Sequence, residues 1–171
     1  PLTAIAFFML TGELMTSATI TDRLVALSRA LIGRIRGGLA QVNVLVSMFF
    51  AGMNGSVVAD TATVGALVLP AMKKAGYPAA FSAAVTGVSS TIGGIIPPSI
   101  MMIVLANATE ISIASLFAAG IVPGILIGVV IMVINHYFAV KYNFERSDEP
   151  FSVRRAGKEL YRSSFALLIP L

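Results

Sequence analysis

The chain has 171 residues, of which 57% are hydrophobic and 12% charged, and its mean hydropathy is +0.89. A soluble domain carries about 25% charged residues, so this composition argues against a soluble fold and predicts an integral membrane protein. Cysteine is absent, His136 is the single histidine, and the net charge of +4 sits beside apolar segments without a base-stacking aromatic array. These facts argue against disulfides, thiolate or histidine metal sites, histidine acid–base relays and nucleic-acid partners. The chain begins at Pro1 without a signal-peptide pattern and stops in a fresh apolar run. The expectation is the interior of a larger polytopic protein.

Residues 2–20 form the first apolar segment, with Glu13 as its one charge. About twenty residues suffice to cross the ~30 Å hydrocarbon core. Glu13 is read as an interface residue near a helix end, with a buried functional carboxylate as the alternative. Residues 21–36 change character. Thr19 or Thr21 caps the start, Asp22 suits the first turn, and Leu24, Leu27, Leu31 and Ile35 share one face. Arg23, Arg29, Arg34 and Arg36 lie mostly opposite, as expected of an amphipathic helix in the headgroup plane whose arginines face anionic lipid.

Gly37-Gly38 ends that helix, and two apolar arms follow that meet at Gly52-Met53-Asn54-Gly55-Ser56. Each arm of about fifteen to seventeen residues reaches about 22–26 Å, short of a full crossing. A re-entrant helical hairpin fits, with two short tilted spans as the alternative. Asn43, Ser47, Asn54, Ser56, Asp60, Thr61 and Thr63 would be costly facing lipid, which favours the hairpin. A basic turn, Lys73 to Pro78, leads into a second interrupted segment. There Ser82, Thr86, Ser89, Ser90 and Thr91 precede Gly93-Gly94 and Pro97-Pro98. The prolines remove two backbone donors and hold the chain extended, so the helix breaks, and Ser99 caps a second half-helix. A broken helix exposes carbonyls at the end of its first half and amides at the start of its second. The carbonyls suit a small cation, and the amide end suits a carboxylate.

Asn107 to Glu110 is a polar turn without Lys or Arg, and residues 111–140 give a long apolar span. Gly120, Pro123, Gly124 and Gly128 lie in it, and the glycines would let a neighbouring helix approach closely. His136 and Tyr137 read as interface residues. Residues 141–162 are a polar loop with six Lys and Arg, and another span starts beyond it. If residues 37–75 return to their starting side, all twelve Lys and Arg fall on one face of the membrane. That face is the cytoplasm by the positive-inside rule, with residues 21–37, 73–78 and 141–162 on it.

The stretch RGGLAQVNVLVSMFFAGMNGSVVAD, followed by PAMKKAGYPAAFSAAVTGVSSTIGGIIPPSI, resembles the large membrane subunit of TRAP (tripartite ATP-independent periplasmic) transporters. The likeness runs from PLTAIAFFMLTGELM through AGIVPGILIG, and SSTIGGIIPPSI is its most specific part. The resemblance implies an all-α polytopic membrane protein of the ion-transporter-superfamily elevator type, with a re-entrant hairpin, a discontinuous transmembrane helix and an interfacial arm helix. It implies a scaffold helix and arm helix over 1–36 and a transport-domain half over 37–110, divided into a hairpin (37–75) and a broken helix (78–109). A transmembrane helix over 111–140, a cytoplasmic loop over 141–162 and the start of a further helix over 163–171 complete the chain. The missing counterpart is an inverted second repeat.

The function so implied is sodium-coupled uptake of an organic acid, such as a C4-dicarboxylate or sialic acid, across the bacterial inner membrane. Its partners are a small membrane subunit, a periplasmic substrate-binding protein and membrane lipid. The sodium-site candidates are Asn54, Gly55, Ser56, Ser90, Thr91 and Gly93. Pro97, Pro98 and Ser99 would border the substrate, and Asp60 would support the tip or the site. No cofactor, no metal besides sodium and no catalytic residue are expected. Asn54 stands where serine is common in the family, and Gly94 where proline is; neither change removes an oxygen ligand. The alternatives are a related sodium–carboxylate symporter that needs no binding protein, and a membrane scaffold subunit. An intramembrane enzyme is disfavoured by the lack of an HExxH motif or a serine–histidine pair at the break.

Overall fold

The computed structural model describes residues 35–144, together with Leu10, residues 25–29 and Ile32. The expectations for Glu13, for the caps at residues 19–22, for most of the basic loop and for the last apolar run lie outside the described residues. Those described form α-helices, one 3₁₀ segment and turns, so the all-α class is observed there. The helices are α1 (Gly38–Asn54), α2 (Val57–Lys74), α3 (Ala79–Ser90), α4 (Ile100–Thr109) and α5 (Ile113–Lys141), with the 3₁₀ segment Thr91–Gly94 between α3 and α4.

Helix α1 is the axis of the bundle. It starts after Gly37, whose φ of 73° lies in the left-handed region, and it is buried on nearly every side, from Ala40 and Val42 to Phe50 and Met53. A helix buried on so many sides belongs in an interior, and its polar Gln41, Asn43 and Ser47 are buried with it. It ends at Gly55, again left-handed with φ 59°, whose amide bonds back to the Ala51 carbonyl at 3.3 Å. The sequence reading placed the tip at Gly52 to Ser56. Instead the helix runs through Asn54, and only Gly55 and Ser56 are non-helical. The cause is local: Gly55 adopts the left-handed cap at little cost, and Ser56 starts the next helix by accepting from the Ala59 amide at 3.4 Å.

Helix α2 carries Asp60 in its first turn and Lys73 and Lys74 in its last, both favourable for the helix dipole. Asp60, Val64, Val68 and Met72, four residues apart, form its buried stripe. Thr61, read as costly in lipid, is exposed, but its hydroxyl donates to the Val57 carbonyl at 2.8 Å.

Helix α3 buries its hydroxyls and exposes its small apolar residues. Ser82, Thr86, Ser89 and Ser90 point inward, while Ala80, Ala84, Gly87 and Val88 face out. This inversion suits a lipid-facing exterior, because a hydroxyl is satisfied by protein and not by hydrocarbon. Helix α5, of 29 residues, is the described helix long and apolar enough to cross a membrane, and its most apolar 18-residue window has a mean hydropathy of 2.7. Gly120, Gly124, Gly128, Ile131, Asn135 and Ala139 form its inner stripe, and residues such as Leu126, Val130 and Val133 are exposed.

The basic groups gather at one end. Arg36 donates to Asn143 Oδ1 at 3.2 Å, and the Tyr77 and Phe144 rings stand 4.7 Å apart. Lys141 lies 5.8 Å from the Tyr142 ring centroid, within cation–π range. In the arm segment, residues 25–29 and Ile32 are helical, and Val25 and Ile32 pack on the bundle core. Leu27 is buried as well, but Ile35, assigned to the same face, sits in a bend and is 42% exposed. The helical register therefore does not extend to it.

Candidate functional site

Two interruptions, far apart in sequence, meet. The first is Gly55-Ser56 between α1 and α2, and the second is the Gly94–Ser99 turn between the 3₁₀ segment and α4. The Ile100 amide donates to the Gly55 carbonyl at 3.2 Å. A Cβ on Gly55 would strike the Pro98 carbonyl and come within 3.0 Å of Ser99 Cα, so the backbones are in contact where Gly55 lacks a side chain. A Cβ on Gly93 would lie 3.7 Å from the Val57 amide nitrogen, and one on Gly52 3.9 Å from the Pro97 oxygen.

Four helix ends therefore converge. Helices α2 and α4 begin here, each with a serine cap. Ser56 accepts from Ala59, and Ser99 accepts from the Met102 amide at 3.4 Å while donating to the Gly94 carbonyl at 2.9 Å. Helix α1 and the 3₁₀ segment end here, presenting carbonyls. Starting amides carry partial positive charge and ending carbonyls partial negative charge. One small volume thus offers both signs without a single Lys or Arg between residues 37 and 72.

A second polar locus lies one turn along α2, where the Asp60 amide donates to the Ser56 carbonyl at 3.0 Å. Asp60 is fully buried, with Ser90 and Ser47 beside it. The Ser90 hydroxyl donates to the Thr86 carbonyl at 2.8 Å, and Ser47 pairs with Ser89 at 3.1 Å. Both hydroxyls have other partners and neither Asp60 oxygen accepts a hydrogen bond, although Ser90 and Ser47 stand near enough to turn a hydroxyl toward the carboxylate. Burying an unpartnered carboxylate is expensive, so such a group calls for a cation or a proton. Among the described residues no three His, Cys, Asp or Glu side chains gather. The donors on offer are oxygens: one carboxylate, hydroxyls and backbone carbonyls, the set a hard cation takes.

The sequence-derived candidates fall into three groups. Gly55, Ser56, Gly93, Pro97, Pro98 and Ser99 share the junction, with Ser99 buried and the two prolines half-buried. Ser90 stands with Asp60. Asn54 and Thr91 are occupied locally: Asn54 Oδ1 accepts from the Ser56 amide at 3.1 Å, and Thr91, which is exposed, donates to the Val88 carbonyl at 2.7 Å. Sequence reasoning missed the polar seam on α1, where Asn43 Nδ2 donates to Thr86 Oγ1 at 2.7 Å. Its signal was there: Asn43 and Ser47 are spaced for one face of α1, as Thr86 and Ser90 are for one face of α3.

The family profile described as "Tripartite ATP-independent periplasmic transporter, DctM component" matches residues 1–171. The chain is 46% identical over 138 residues to the C4-dicarboxylate TRAP transporter large permease protein DctM of Pseudomonas aeruginosa, covering 81% of this chain and 32% of that protein. It is 39% identical over 172 residues to the sialic acid TRAP transporter permease protein SiaT of Haemophilus influenzae, covering 100% of this chain and 28% of that protein. It is 37% identical over 170 residues to the 2,3-diketo-L-gulonate TRAP transporter large permease protein YiaN of Escherichia coli, covering 99% of this chain and 40% of that one. The chain thus spans between 28% and 40% of the length of these three relatives, all named as transporter permeases. With its whole length matched and the paired interruptions in place, the chain belongs to the DctM component family of tripartite ATP-independent periplasmic transporters.

Proposed function

We propose that this chain forms the half of a TRAP large permease that binds sodium and an organic acid, and that it works in sodium-coupled uptake by an elevator movement. One observation carries the reading: the junction at Gly55-Ser56 and Gly94–Ser99, where two capped helix starts and two helix ends come together. Within lipid, irregular backbone is tolerated only where it is buried in protein or lines a cavity, and paired broken elements mark the binding site of many secondary transporters. Carbonyls at the ends of α1 and the 3₁₀ segment, with hydroxyls of Ser56 and Ser90, suit sodium. The orphaned Asp60 supplies the charge that favours it. The amide starts of α2 and α4, bordered by Pro97, Pro98 and Ser99, suit a carboxylate.

Three relatives are named for a C4-dicarboxylate, sialic acid and 2,3-diketo-L-gulonate. A site that reads the carboxylate through backbone amides leaves the rest of the solute to other contacts, which fits that variety. In this reading α1 and α2 form a re-entrant hairpin in the bacterial inner membrane. The basic end carrying Arg36, Lys73 and Lys141 faces the cytoplasm. A small membrane subunit and a periplasmic binding protein complete the machine. Sodium organises the junction before the anion arrives, which is coupling by differential affinity.

The test is uptake by the complete transporter in proteoliposomes, with and without an inward sodium gradient, for several candidate acids. The expected result is uptake that needs both sodium and the binding protein and that weakens with Ser56→Ala. Uptake indifferent to sodium would overturn the coupling, and uptake without a binding protein would overturn the tripartite assembly.

A further inference from the structure

The inner stripe of α5 is three glycines one turn apart, Gly120, Gly124 and Gly128, and they do not serve one purpose. A Cβ on Gly128 would strike Met48 Sδ, the flexible end of a side chain on α1. A Cβ on Gly120 would strike the Ile95 backbone carbonyl and come within 2.5 Å of Met102 Cε. A Cβ on Gly124 would strike Ile96 Cγ1 and stand 3.5 Å from the Ile96 amide nitrogen. The upper two glycines therefore receive the two residues that follow the 3₁₀ segment.

Those two residues set the junction. The amides of Ile95 and Ile96 both donate to the Ile92 carbonyl at 2.9 Å, so displacing either one pulls on the end of the 3₁₀ segment. That end holds Gly93 and Gly94. A Cβ on Gly93 would be 3.7 Å from the Ser56 carbonyl carbon, and one on Gly94 would be 3.3 Å from Val57 Cγ2. An unbroken line of contacts thus runs from the wall of α5 to the turn between α1 and α2.

We propose that Gly120 and Gly124 are positioning residues: they form a notch in α5 that seats Ile95 and Ile96 and so sets the register of Gly93-Gly94 against Ser56, where sodium and the anion bind. The inference rests on the proposed function and adds to it residues that touch neither solute. Ligand oxygens need placement to a few tenths of an ångström. The Ile95 carbonyl facing Gly120 is backbone, and the Ile96 Cγ1 facing Gly124 sits on a stiff β-branched side chain next to its own backbone, so neither swings aside as the thioether of Met48 can.

The experiment is initial-rate uptake by the complete transporter in proteoliposomes, reading the half-saturating sodium concentration and the substrate KM separately from kcat. Gly124→Ala should raise the half-saturating sodium concentration roughly tenfold, the size seen when outer-shell support of a metal site is lost. Gly124→Ala combined with Ile96→Ala should bring it back most of the way, because the colliding atoms are gone. Gly128→Ala should leave it at the wild-type value. A wild-type sodium response in Gly124→Ala overturns the inference, as does an equal shift in Gly128→Ala or a failed rescue. If Gly124→Ala does not reach the membrane, the pair decides: restored protein with near wild-type sodium affinity supports the notch, and absent protein overturns it. Failure of the proposed function reads differently, as sodium-independent uptake by the wild type itself.

Discussion

The Ile100 amide and the Gly55 carbonyl, 3.2 Å apart, tie together two parts of the chain separated by 45 residues. The first amides of a helix have no acceptor within it. Here the start of α4 finds one in the link between α1 and α2, so a cost of breaking one helix is offset by a bond to the other interruption. This bond is backbone to backbone, so it does not depend on a side-chain rotamer.

Gly55 and Gly76 separate backbone strain from junction geometry. Both have positive φ, 59° and 82°, so alanine costs about 1–2 kcal/mol at either through the left-handed backbone alone. A Cβ on Gly76 meets nothing within 4 Å, whereas one on Gly55 strikes Pro98. Gly76→Ala should lower the thermal midpoint of the solubilised permease modestly and keep uptake. Gly55→Ala should lower it further and abolish uptake. Equal effects of the two in a thermal-shift and uptake series would mean that the contact with Pro98 contributes nothing.

Ser99 is buried and its hydroxyl has two tasks, capping α4 and donating to the Gly94 carbonyl. Losing a serine cap costs about 1 kcal/mol, and the freed Gly94 carbonyl adds to that. Ser99→Ala should therefore destabilise the permease, and Ser99→Thr, which keeps the hydroxyl, should recover much of the loss. The substrate KM tells the roles apart. If Ser99 only holds the turn, KM changes in step with stability across the two variants. If it also touches the acid, KM rises in Ser99→Ala beyond what a destabilised but folded protein shows.

Asp60 makes an opposite prediction for stability and for function. A buried carboxylate without a partner destabilises a fold, and both of its oxygens lack a hydrogen bond. Asp60→Asn should then raise the thermal midpoint in sodium-free buffer. Wild-type protein should be stabilised by sodium, by about 2.7 kcal/mol at a concentration a hundredfold above Kd, and Asp60→Asn should lose that response. Thermal-shift titrations with sodium chloride against choline chloride check both halves. A sodium response that persists in the variant would remove Asp60 from the cation site.

Much of this arrangement was legible in the sequence because helix caps and breakers act locally. Gly37, Ser56 and Ser99 fixed their helix boundaries through their own backbone preferences, and the two prolines marked the break. The reach of α1 through Met53 and Asn54 was not legible, because two glycines, an asparagine and a serine within five residues look like a loop until one glycine takes the left-handed cap. The burial of Ser82, Thr86, Ser89 and Ser90 follows from spacing, but spacing within α3 does not say which helix they face. That Asn43 and Ser47 of α1 meet them, and that Asp60 closes the group, are facts of packing between helices. The seating of Ile95 and Ile96 on α5 was half legible: the glycines announced a close approach and did not name the visitor.

The Asn43–Thr86 contact tests that packing directly. Asn43 Nδ2 donates to Thr86 Oγ1 at 2.7 Å, and the Thr86 hydroxyl donates in turn to the Ser82 carbonyl at 2.9 Å. Both side chains are buried, at 0% and 2% exposure. Losing Thr86 Oγ1 leaves the Asn43 amide only Met72 Sδ at 3.6 Å and should cost about 1–3 kcal/mol, whereas losing Asn43 leaves Thr86 bonded to Ser82 and should cost less. Thr86→Val keeps the shape and removes the acceptor, and Asn43→Leu removes the donor at similar volume. The double variant strands neither group, so it should be less destabilised than the sum of the singles, by about 0.5–3 kcal/mol of coupling. Denaturation of the solubilised permease measures all four corners of the cycle. Additive losses would show that the two side chains act independently and that the seam between α1 and α3 does not depend on this bond.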